Sequence, residues 1–78
     1  MKKEEAITEA RNYLNKSGKN GKITVYIPKS PQTDSYGIQA FSKKQMNELM
    51  TSGDYLKYSS DYWAFQFDTN NPDHCVEI

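Results

Sequence analysis

Six of the ten aromatic side chains in this sequence fall within thirteen positions: Tyr55, Tyr58, Tyr62, Trp63, Phe65 and Phe67. Their spacing limits what the segment can become. Trp63, Phe65 and Phe67 alternate with Tyr62, Ala64 and Gln66, a period of two that puts the three large rings on one face of a strand. Part of this aromatic area has to supply the core. The tyrosines in excess of it are amphipathic rings of the kind that contact other macromolecules at low entropy cost.

The chain has 78 residues, 36% hydrophobic and 26% charged. This length predicts one domain, residues 1–78, with a thin core, because small chains bury little more than roughly 60% of their unfolded surface. Ten aromatics argue against disorder. Cys75 is the only cysteine and has no partner for an internal disulfide, and the amino-terminal residues carry charge without an apolar h-region. No apolar run reaches the roughly 20 residues of a membrane helix. The expectation is a cytoplasmic protein. Net charge is zero but unevenly placed: seven basic residues against four acids before position 40, three against six after it. That asymmetry can orient a charged partner.

Residues 3–16 predict an amphipathic helix with Ala6, Ile7, Ala10, Tyr13 and Leu14 on one stripe, stopped at Gly18. Ile23, Val25 and Ile27 alternate with Thr24 and Tyr26 in a strand that ends at Pro28. After a loop over 29–34, a second strand is expected over 35–41, with Tyr36, Ile38 and Ala40 on one face. Ser42 and Gln45 form a capping-box pattern that opens a second helix with Met46, Leu49 and Met50 as its buried stripe and Gly53 as its stop. The strand over 62–68 follows, then a turn over 69–73 and a short edge strand over 75–78. The fold class is α+β: a small antiparallel sheet of three or four strands with two helices, in the order α-β-β-α-β(-β), both helices on one face of the sheet.

Catalytic and metal patterns are weak. His74 and Cys75 are adjacent and so point to opposite faces of a strand, which rules out a productive hydrogen bond between them. One His and one Cys fall short of a zinc site, and the acids lack calcium-loop spacing. The segment 17–22 has glycines and lysines, but in the wrong order and spacing for a phosphate loop. Neither a cofactor nor a metal is expected, and the chain is read as non-enzymatic.

The tyrosines lead the functional reading. Tyr55, Tyr58 and Tyr62 are spaced i, i+3, i+7, so one turn could present them together beside Asp54 and Asp61. These five residues are the expected partner-binding set, docking on a basic surface of another protein or nucleoprotein complex. The function expected is a small protein-binding inhibitor, an anti-defence protein of a phage or mobile element (anti-CRISPR-like). Alternatives are an immunity protein that neutralises a toxin, or a nucleic-acid-binding accessory protein that uses Lys16, Lys19, Lys22, Tyr26 and Lys29, lysines for phosphates and tyrosine for base stacking. Pairing of a second copy along the last strand is a further expectation, since an exposed edge invites it.

Overall fold

The computed structural model describes residues 2–30, 37–58 and 60–78. Helix α1 (Lys3–Ser17) carries Glu4 and Glu5 in its first turn and Lys16 in its last, the favourable sense for the helix dipole. Gly18 stops it in the left-handed region at φ 70°. Its buried residues are Ala6, Ala10 and Leu14. Their i, i+4, i+8 spacing keeps them on one face, and the two alanines let the helix lie close to the sheet. Tyr13, expected on this stripe, sits at its margin and is 36% exposed.

Strands β1 (Lys22–Pro28), β2 (Gln39–Ser42), β3 (Tyr62–Asp68) and β4 (Asn71–Glu77) form one antiparallel sheet in the order β2-β1-β3-β4. β1 therefore lies inside the sheet, paired Val25 with Ala40 on one side and Val25 with Phe65 on the other. Ile23, Val25, Ile27, Ala40, Phe65 and Phe67 share the face that packs on α1, and with Ala6, Ala10 and Leu14 they make the core. Trp63 and Cys75 pack at its margin, so Cys75 acts as a small apolar filler.

Two strand boundaries differ from expectation. β2 begins at Gln39, and the proposed strand residues 35 and 36, like most of the preceding loop, lie outside the described residues. β4 begins at Asn71 rather than Cys75, because the pairing shifts between Phe67 opposite Cys75 and Asp68 opposite Asn71. The irregularity accommodates Pro72, which has no N–H to give a ladder and is tolerated only at edges and bulges. The Arg11 guanidinium of α1 donates to the Pro72 carbonyl at 2.6 Å and lies over the Phe67 ring at 5.2 Å, which ties the bulge to the helix.

Helix α2 (Lys43–Ser52) starts directly at the end of β2. The Ser42 hydroxyl accepts from the Gln45 N–H, and the Gln45 side chain accepts from the Ser42 N–H, completing the expected capping box. A 3-10 helix (Asp54–Tyr58) follows Gly53. The two helices do not share a face of the sheet. α1 covers the Ile23–Val25–Ile27 side, whereas α2 and the 3-10 helix lie over the side that carries Thr24, Tyr26 and Gln66. That second face also carries Phe41 and Tyr62. Leaving so much ring area in water would cost about 25 cal/mol per Å2, which gives the chain reason to fold back over it. The cover is incomplete. No residue of α2 is buried, Met46 and Leu49 are half-buried, and Met50 is 60% exposed, so the expected buried stripe is only partly sealed.

Candidate protein-binding groove

The sequence groups Tyr55, Tyr58 and Tyr62 as a single surface, but the structure gives them separate duties. Tyr58 stacks on Tyr26 with ring centroids 4.5 Å apart and 20° between planes, meets Phe41 at 5.9 Å, and takes Tyr62 edge-on at 5.2 Å. Tyr26 in turn meets Phe41 edge-on at 6.0 Å. These four rings clamp the 3-10 helix to the sheet, and Tyr26 and Tyr62 are each only 6% exposed. Tyr62 is thus a packing residue, and Tyr58 is half-buried in the same cluster. Tyr55 is three residues before Tyr58, and a 3-10 helix places i and i+3 on one side. It is the member of the trio that reaches solvent, at 38% exposure.

Beside this cluster a groove of about 420 Å3 opens between α2 and the sheet. Its floor is Thr24 and Tyr26 of β1 with Gln66 of β3. Met46 and Met50 of α2 form one wall, with Tyr55 and Ile78 also on the lining. Lys22 and Lys43 complete its charged part. The groove exists because α2 and the 3-10 helix cover the β1 and β2 side of this face and leave the β4 side open. Val76, directly opposite Gln66 in the pairing, is 46% exposed and Ile78 is 69% exposed. Burial raises the Tyr26 phenol above the ordinary tyrosine range, and the nearby Tyr58 adds to the shift.

The remaining expected contacts scatter. Asp54 is exposed on the opposite flank of α2, where it lines a second cleft with Glu48, Phe41 and Leu49. Asp61 is exposed just before β3, and its carbonyl accepts from the Lys29 N–H at 2.9 Å. The basic set does not converge either. Lys16 ends α1. Lys19 donates to the Ala40 carbonyl at 2.7 Å and to the Gln45 side chain at 2.9 Å, so it fastens the β2–α2 junction. Lys29 lies near the Trp63 ring at 5.9 Å. Tyr26, buried and stacked on Tyr58, offers no free ring to a base. Of the four lysines only Lys22 lines the groove.

Sequence reasoning missed Met46, Met50, Gln66 and Ile78 as groove residues. The signal available was weak: a methionine stripe on a short helix reads as core unless its distance from the sheet is known. Among the described residues no group of three or more His, Cys, Asp and Glu side chains could hold a metal, and no helix is long and apolar enough to cross a membrane. No protein-family model matches the chain, and no curated protein or solved structure is significantly similar to it.

Proposed function

We propose that the protein acts without catalysis, by binding another protein and blocking its surface. In this reading it is a small cytoplasmic inhibitor of the anti-defence type carried by phages and mobile elements, anti-CRISPR-like in its mode of action. One observation carries the reading: Met50, Tyr55 and Ile78, three of the large hydrophobic side chains left exposed, converge on one groove rather than scattering singly over the surface. Isolated exposed apolar residues are ordinary, whereas grouped ones mark interaction sites. Tyrosine and methionine also suit the role, the first as a rigid anchor and the second as an adaptable wall.

The test is affinity capture from host cells with wild-type protein and with the Tyr55→Ser/Met50→Ser double variant, both checked for folding by circular dichroism. The expected result is a partner held stoichiometrically by the wild type and lost from the variant, with the partner's activity inhibited only by the wild type. Capture that persists in the folded variant, or no specific capture at all, overturns the reading.

A further inference from the structure

We propose that the groove between α2 and the sheet receives an acidic peptide segment with an apolar anchor, donated by the partner protein. The inference rests on the protein-binding reading above and gives the partner's chemistry. Lys22 and Lys43 both line the groove, and no acidic side chain does. Among the described residues neither lysine is ion-paired. Glu48 and Asp54 line a different cleft on α2, and Asp68, opposite Lys22 in the strand pairing, stays off the groove lining and accepts from the Asn70 N–H at 2.9 Å. The groove is therefore a locally cationic site on a neutral molecule, and complementary charge on the partner would steer and register docking.

The interior calls for an apolar side chain. Met46, Met50 and Tyr55 form flexible or flat apolar walls, and the volume of about 420 Å3 falls in the ordinary range of ligand clefts. On the floor, the Thr24 hydroxyl and the Gln66 amide make no side-chain hydrogen bond among the described residues, which leaves donors and acceptors for a peptide backbone. A single nucleic-acid strand fits less well. It needs successive stacking rings, and of the two on the lining Tyr26 is already committed to Tyr58.

Fluorescence anisotropy with three labelled probes tests this: a peptide of a Leu-Phe pair flanked by glutamates, the same peptide flanked by lysines, and an oligothymidylate. The acidic peptide should bind. Its affinity should fall on the order of tenfold for each of Lys22→Glu and Lys43→Glu, and also fall with Met50→Ser. Lys44→Glu, one position along α2 and outside the groove lining, should leave it unchanged. Equal or tighter binding of the lysine peptide or the oligonucleotide, insensitivity to the groove substitutions, or no binding of the acidic peptide overturns the inference. If capture depends on Tyr55 and Met50 while the acidic peptide fails, the inference falls and the protein-binding reading stands. If the peptide binds in the groove but host capture fails, the groove's preference for acidic peptides stands and the inhibitor reading falls.

Discussion

Tyr58 and Tyr55 are near neighbours in one short helix, and they should respond differently to truncation. Tyr58 meets three rings, each aromatic pair contributing roughly 0.5–1.5 kcal/mol beyond area burial. Tyr58→Ala should cost about 2–4 kcal/mol in urea denaturation. Tyr55→Ala, at a partly exposed position that meets none of those rings, should cost under about 1 kcal/mol while weakening any partner complex. Tyr26 adds a pH signature. Its folded pKa is raised by burial, so the folded state holds this proton more tightly than the unfolded chain, whose tyrosines titrate near 10. The resulting stability is fully present below pH about 10 and is lost as pH rises through the folded value. Ultraviolet titration should show a late-titrating phenol that is lost in Tyr26→Phe.

The β2–α2 junction works as a small polar lock. Gln45 accepts from both the Ser42 N–H and the Lys19 ammonium, and Lys19 also holds the Ala40 carbonyl. Ser42→Ala should cost about 1 kcal/mol through the lost cap. Lys19→Met should cost a similar amount, about 1 kcal/mol, through lost charge-assisted hydrogen bonds that are part-exposed. The double variant should fall short of the sum, because both changes act on Gln45; chemical denaturation of the four proteins measures the coupling. The loop between α1 and β1 is fixed similarly. The Gly21 N–H donates to the Thr69 hydroxyl at 2.7 Å, and the Thr69 N–H donates to the Gly21 carbonyl at 3.0 Å, with Gly21 at φ 96°. Every described residue with positive φ is a glycine, so Asn20, before Gly21, keeps negative φ.

The molecule as a whole is a sheet sealed on one face and half-covered on the other. Phe65 is fully buried against α1, so Phe65→Ala should cost about 3–5 kcal/mol. Small domains hold only about 5–15 kcal/mol in total. The variant should therefore lose most of its stability, read as a collapse of the melting temperature. On the half-covered face the four-ring cluster carries stability, whereas the exposed rim of the groove, Met50 and Ile78, carries little. Substitutions at that exposed rim should leave the melting temperature nearly unchanged and alter partner affinity, whereas core substitutions should do the reverse.

Local patterns carried the elements. The capping box at Ser42, the glycine stops at Gly18 and Gly53, and the alternation of 62–68 each depend on neighbours a few residues apart, so they were legible in the sequence. So was the antiparallel α+β class with its order of helices and strands. Which tyrosines are buried, on which side α2 lies and where a groove stays open depend on contacts between distant segments: Tyr26 on Tyr58, Lys19 on Gln45, Met50 beside Ile78. A ring that stacks inside and a ring that faces water have the same composition and nearly the same spacing. Only the packing of one element on another separates them, because burial is a property of the assembled layers and not of the strand or helix alone.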